Sequence, residues 1–347
     1  MQASRIILKA GACLSALVLT TFLPNGILRA QDFPARPIRI VITEPPGGGV
    51  DRTARLVADK LREKWGQPGV VETHAGAGGN IAAELTAKSP NDGYSVMMGT
   101  VGTHAINLAL YSKLPYHPQR DFTPIALVGE NPNILVINPV VPAKSIKELI
   151  ALGKAKPGQL NYGSSGAGTT VHLSGELFKV LTGIDMVGIV YKGGGPALVA
   201  LMSGEIELVL SSLASTLPHV RSGKLRVVAV TGAKRSPAAP ELPTVSEAAL
   251  PGYEATAWFG LAAPAGVPRA GIERMHGETV RVLKLPDVVQ RMRGEAYDII
   301  GDTPEQFAQA IRTEIAKWAA VVKHAGLIGQ EPERMAWQLL CRQGTRV

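Results

Sequence analysis

Three consecutive glycines, Gly47, Gly48 and Gly49, stand between a β-branched apolar run at residues 37–43 (PIRIVIT) and a segment in which Val50, Ala54, Val57 and Leu61 recur at helical spacing. A strand that passes through bare backbone into a helix turns unpaired N–H groups and the positive end of the helix dipole toward a gap that no side chain fills, and an anion is the natural occupant. A tight connection needing positive φ would use the same residues. The pattern recurs. GVVETH (69–74) runs into AGAGGN (75–80), where Gly78 and Gly79 precede a short helix that Asn80 could cap. QLNYGSSGAGTTVH (159–172) repeats it, and so does IVYKGGGPALVALMSG (189–204), with Gly193 and Gly194 in the loop, Pro196 in the first turn and Gly204 past the end. In an α/β sheet such loops lie along one edge, at the carboxyl ends of the strands, where ligands bind. Near them stand the hydroxyls of Thr100, Thr103, Ser164, Ser165 and Thr169 and the phenol of Tyr191. That inventory forms hydrogen bonds and has no reactive group, so it reads as a binding site.

The chemistry these loops do not offer is equally informative. None is followed by the GK[ST] of a phosphate loop, and GAGGN lacks the spacing of a dinucleotide fingerprint. The chain has no HExxH and no GxSxG, and its histidines are scattered without metal-ligand spacing. No catalytic residue, metal ligand or cofactor is assigned. Ser164 and His172, eight residues apart, are what an exported α/β hydrolase or transferase would use; capping and packing explain them better.

The elements that must position these groups fit a two-domain α/β chain of 347 residues. SIKE (145–148) and TPEQ (303–306) are capping boxes, the second opening a long helix with Phe307, Ile311, Ile315, Trp318 and Val322 on one face and Gly326 as its stop. PVVPAKS (139–145) and SPAAPELPT (236–244) read as exposed connections. The strand-like segments 126–137 and 255–264 lie at the borders of the middle of the chain, so two strands crossing between lobes would form a hinge. The expected division is 31–131 plus 253–328 for one lobe, 132–252 for the other, and 329–347 as a tail.

Arg5 and Lys9 precede an apolar stretch at residues 11–23, and Leu28-Arg29-Ala30 offers a small residue to a signal peptidase, so residues 1–30 read as a cleaved secretory signal and the mature protein as exported. Cleavage lowers the formal charge from +8 to +5, and no basic cluster with interleaved aromatics suggests nucleic acid. Cys13 leaves with the signal or, as the alternative, carries a lipid, and either way Cys341 has no partner for an intramolecular disulfide.

The ordered series PIRIVITEPPGGGVDRTAR, AGAGGN, SPNDGYSV, THAINLALY, YGSSGAGTTVHL, YKGGGPAL, SGKLRVVAVTGAKR, LPTVSE and FGLAAPAGVP resembles the Bug-type receptors, the extracytoplasmic solute-binding proteins of tripartite tricarboxylate transporters. The resemblance spans residues 31 to about 327. It implies a periplasmic location and a periplasmic-binding-protein fold of type II, with two α/β lobes joined by crossing strands and closing on a small organic acid or amino acid, and a monomer that hands its ligand to membrane permease subunits. A sensor that engages a signalling partner would share that fold. Carried over by position, the resemblance nominates Gly47, Gly48, Gly49, Asp51, Gly78 and Gly79 on one lobe, and Ser164, Ser165, Thr169, Tyr191, Gly193 and Gly194 on the other. The chain departs from the family at Thr43 and Glu44, where proline and an aromatic residue are usual. A carboxylate beside a carboxylate site is unfavourable, so Glu44 either points to solvent or faces the cleft and selects a ligand carrying a positive group.

Overall fold

The computed structural model describes residues 33–44, 46, 48–166, 168–191 and 193–329. The signal segment, Gly47, both cysteines and the tail beyond residue 329 lie outside the described residues. The described residues from Arg36 to Gly329 belong to one compact unit. Its elements alternate as the glycine junctions require. In chain order they begin with β1 (Ile38–Ile42), α1 (Gly49–Trp65), β2 (Gly69–Thr73), α2 (Asn80–Ala87), β3 (Ser95–Thr100), α3 (Asn107–Leu110) and β4 (Phe122–Ile137). Then come α4 (Ile146–Ala155), β5 (Leu160–Ser164), α5 (Thr170–Thr182), β6 (Met186–Val190), α6 (Gly194–Ser203), β7 (Leu208–Ser212), α7 (Leu213–Arg221) and β8 (Arg226–Val230). The chain ends with α8 (Val245–Ala248), β9 (Thr256–Pro264), α9 (Arg269–Leu283), α10 (Pro286–Gly294), β10 (Asp298–Ile299) and α11 (Pro304–His324).

Two sheets share one long strand. In the first, β1 runs parallel to both β2 and β3, β3 pairs antiparallel with β9, and β9 pairs antiparallel with β4 from Phe122 to Pro132. At Asn133 the partner changes: Asn133 to Ile137 pair with β7, and β8 takes the other side of the same stretch. β5 then joins β7 and β6 in parallel register. Of the two expected crossing segments, the first is therefore a strand that belongs to both sheets, whereas β9 pairs only with β3 and β4. The second passage lies just before β9, where the Ala255 N–H donates to the Thr231 carbonyl and the Thr231 N–H to that of Asn133. The Thr231 hydroxyl lies within 3.0 Å of the Asn133 carbonyl and 2.8 Å of the Ala255 carbonyl, tying both crossings to the end of β8.

Helix ends follow the local chemistry. Thr303 and Gln306 form the capping box of α11, with Pro304 in its first turn. Phe307, Ile311, Trp318 and Val322 are buried, Ile315 is half-buried, and Gly326 takes the positive φ of the stop. Ser145 accepts the Glu148 N–H, but the Glu148 carboxylate reaches the Lys144 N–H, so only half of the expected box closes in its usual form. The expected Asn80 cap is not formed. α2 starts from Gly79 in left-handed conformation, and the Asn80 amide oxygen turns inward to accept from Asn107 Nδ2 at 2.7 Å. With the hydroxyl of Tyr116 3.0 Å from the same oxygen, burial of a polar group that already has partners wins over capping.

Candidate functional site

A cavity of about 390 Å³ opens at the carboxyl ends of β1, β3 and β7, where the two sheets meet. The loop after β1 supplies Glu44, and α1 supplies Val50 in its first turn. Gly78 comes from a 3₁₀ turn at 77–79. Thr100 ends β3, and Gly102 and Ile106 bound a one-turn π-helix that follows it. The opposite wall is made by Gly168, Thr169 and Thr170 at the start of α5 and by Ser212 at the end of β7. The floor runs along β4 and β9, with Asn131 and Asn133 from β4 and Ala257, Trp258 and Phe259 from β9, while Tyr297 enters from the turn before β10.

Close packing fixes the loops. Gly78 and Gly79 have φ of +62° and +88°, which other residues rarely adopt. A Cβ on Gly79 would stand 2.7 Å from Thr103 Cγ2 and 3.0 Å from Thr43 Cβ, so the loop lies directly on the strand ends. Asn107 Nδ2 holds it there by donating to the Gly78 carbonyl at 2.9 Å. Beneath, His104 is fully buried against Phe122, Trp258 and Phe307 at ring-centroid distances of 5.3, 6.2 and 6.3 Å. Burial lowers its pKa from 6.5 to about 4, so the ring is neutral at physiological pH.

Electrostatically the cavity has one formal charge among its described lining residues, the Glu44 carboxylate, and none of them is Lys, Arg or His. Glu44 is half-buried, and its burial raises the carboxyl above the ordinary range. Tyr297 packs edge-on to Phe259 at 5.1 Å, and its phenol is pushed up by burial and by the Glu44 charge. Three helices of eight or more residues, α1, α5 and α7, present their first turns or capping residues to this space, each with N–H groups that have no partner within the helix. Two buried amide atoms on the floor lack a hydrogen-bond partner: Nδ2 of Asn133, a residue only 3% exposed, and Oδ1 of Asn131.

Of the residues nominated from sequence, Gly78, Thr100 and Thr169 line the cavity. The Thr169 hydroxyl already donates to the Gly166 carbonyl at 2.7 Å and accepts the His172 N–H, so its main contribution is to shape the start of α5. Gly48 caps α1, and Gly49, which opens the helix, packs against the Tyr297 hydroxyl. The Asp51 carboxylate turns along α1 to Arg55 at 2.9 Å. Thr103 is buried with its hydroxyl 3.1 Å from both backbone polar groups of Thr100. Ser164, Ser165, Tyr191, Gly193 and Gly194 do not line the cavity: Tyr191 donates its phenol to Glu205, and a Cβ on Gly193 or Gly194 would meet nothing within 4 Å. Ser164 is fully buried with Oγ unpartnered, while His172 Nδ1 accepts the Gly168 N–H. The two therefore do not form a nucleophile–base pair. Sequence reading missed Asn107, Asn131, Asn133, Ser212, Trp258, Phe259 and Tyr297. The asparagines in ALVGENPNILVI had a usable signal, being polar and two apart on one face of a strand that is apolar at 125–128 and 134–137.

Residues 53–327 match the family described as tripartite tricarboxylate transporter family receptor. Protein BugT of Bordetella pertussis is 37% identical over 298 residues, which cover 86% of this chain and 91% of that protein. The fold is similar to that of R. palustris Rpa4515 solved with adipate, at 37% identity and TM-score 0.73, covering 85% of this chain and 99% of that one. It is also similar to that of MatC (Rpa3494) from Rhodopseudomonas palustris with bound malate, at 33% identity and TM-score 0.69, covering 84% and 100%.

Proposed function

Since the chain belongs to the receptor family of tripartite tricarboxylate transporters and has the mixed α/β fold of its solute-binding proteins, we propose that it is a periplasmic receptor that captures one small carboxylate-bearing metabolite and delivers it to membrane permease subunits. The observation that supports this most directly is the cavity between the sheets, where the first turns of three helices and the unpartnered Asn133 amide converge. Such groups hold a carboxylate without proton transfer, because helix N-termini and amide N–H groups donate hydrogen bonds and keep their protons. Among the described residues no helix is long and apolar enough to cross a membrane. The two lobes, 31–131 with 253–328 and 132–252, move about Asn133, Thr231 and Ala255, the residues bonded to one another at the crossings.

Thermal unfolding with a panel of mono- and dicarboxylates is the test. A ligand at a hundred times its Kd is expected to add roughly 2.7 kcal/mol to stability, with stoichiometric binding, no turnover and a smaller radius of gyration in solution scattering. Product formation in place of stabilisation would remove the receptor reading. A second expectation concerns Gly49. A Cβ there would collide with the Tyr297 hydroxyl and force that ring from the cavity wall. Gly49→Ala should weaken ligand binding about tenfold, roughly 1.4 kcal/mol, while leaving unliganded stability nearly unchanged, since Tyr297 is only half-buried. Equal affinity in titration calorimetry would mean that Tyr297 is a bystander.

A further inference from the structure

This inference deepens the receptor reading and rests on it: it concerns the charge type of the ligand. Glu44 faces the cavity, and among the described residues it makes no hydrogen bond and no ion pair. The charged side chains in the first turn of the adjoining α1 are paired. Asp51 is held by Arg55, and Arg52 is held by Glu295. A carboxylate left half-buried in a wall with no partner is unfavourable unless something that enters the cavity compensates it. Adipate and malate, carried by two proteins of similar fold, are dianions, and a dianion here would bring a further negative charge toward Glu44 with no basic side chain among the described lining residues to offset it.

Two kinds of group line the cavity. One is the Glu44 carboxylate with the rings of Tyr297 and Phe259, which meet edge-on at 5.1 Å; Trp258 lies next to Phe259 along β9. A carboxylate beside aromatic surface attracts a cationic nitrogen, by ion pairing and by the negative ring faces. Hydrogen-bond donors come from the first turn of α1, where Gly49 lies against the Tyr297 hydroxyl, and from the α5 wall. Asn133 stands opposite Ser212 in the β4–β7 register, its residue 3% exposed and its Nδ2 without a partner, and the first turn of the 13-residue α5 supplies Thr169 and Thr170. A buried N–H donor with nothing to donate to calls for an acceptor, and a helix N-terminus favours that acceptor being negative.

We infer that the ligand is a zwitterion, with its cationic nitrogen against Glu44, Tyr297 and Phe259 and its carboxylate against the Asn133 amide and the first turn of α5. Glu44 is then the residue that sets specificity. It puts the one formal charge into a wall that is otherwise uncharged among the described lining residues, so the wall discriminates by charge. The class comprises amino acids whose ammonium is separated from the carboxylate, and their N-methylated counterparts.

The experiment uses pairs of equal length that differ at one end. Binding of 6-aminohexanoate, its N-trimethyl derivative and adipate, and of 4-aminobutyrate and succinate, is measured by titration calorimetry at pH 7.5 on the full chain and on Glu44→Gln. In the wild type at least one amino acid is expected to bind tenfold or more tightly than the diacid of the same length. Glu44→Gln, nearly the same size and uncharged, should reverse the order, weakening the amino acid at least tenfold and tightening the diacid. Preference for the trimethyl compound would support the aromatic contribution and preference for the primary amine the ion pair, and both fall within the inference. A wild type that binds a diacid more tightly, with Glu44→Gln leaving the ratio within twofold, overturns the inference and leaves the receptor reading intact. Binding of none of the five to either folded protein overturns both.

Discussion

Replacing Phe307 by alanine is expected to destabilise the protein by about 3–5 kcal/mol, among the largest losses a single side chain can cause. Phe307 is fully buried on the first turn of α11, packs edge-on against Trp258 at 5.5 Å and reaches the His104 ring. It also fills the space above Gly260 on β9: a Cβ on that glycine would lie 2.7 Å from Phe307 Cε1. Three elements therefore lose their common contact at once, and α11 and β9 cannot close the gap without dragging the capping box at Thr303 with them. The midpoint of denaturant unfolding should fall with an unchanged slope. Val140→Ala, at a position 81% exposed, should stay within about 0.5 kcal/mol of the wild type. Similar midpoints for the two variants would remove the aromatic cluster as the support of the cavity floor.

The second large effect is on pH. His104 has a folded-state pKa lowered from 6.5 to about 4 by burial, a difference worth roughly 3 kcal/mol. Because the unfolded chain takes up the proton first, the His104 contribution is undiminished above pH 6.5, falls as pH drops toward 4, and is constant below. Glu130 works in the opposite sense. Burial, with Asp298, Glu254 and Asp302 nearby, pushes its carboxyl up to about 7, so its contribution is full at low pH and is lost as pH rises through 7. Whole-protein stability therefore mixes two opposed slopes, and the comparison must be between the wild type and His104→Leu. The stability difference between them should narrow, and then favour the variant, as pH is lowered from 7.5 to 4.5. A difference independent of pH would mean that position 104 is not desolvated in the folded chain.

What the sequence made readable divides along physical lines. Strand, glycine loop and helix junctions could be read because each is local: β-branched runs, positive-φ glycines and caps lie within a dozen residues of one another, and β1 with α1, β5 with α5 and β6 with α6 follow the expected order. Glu44 could be singled out as anomalous, but its direction depends on how the loop after β1 meets α1, and that is a tertiary matter. Tyr297 was invisible, since nothing around EAYDII marks it and it reaches the cavity only because β10 pairs with β4 at Glu130 and Gly129. Asn80 was misread for the same reason: its partners Asn107 and Tyr116 lie 27 and 36 residues away, beyond any local rule.

The wall that Glu44 and Tyr297 share joins chain positions 253 residues apart, and every other described lining residue comes from between them. Contacts so distant in sequence form late, after long loops have closed. On the receptor reading, the complete cavity exists only once β10 has paired with β4, so a ligand gives little help to the early steps of refolding. It acts on the completed chain, where occupancy slows the opening of the native state instead of hastening its formation. On the receptor reading proposed above, resistance to unfolding and to proteolysis then rises with the supply of the solute.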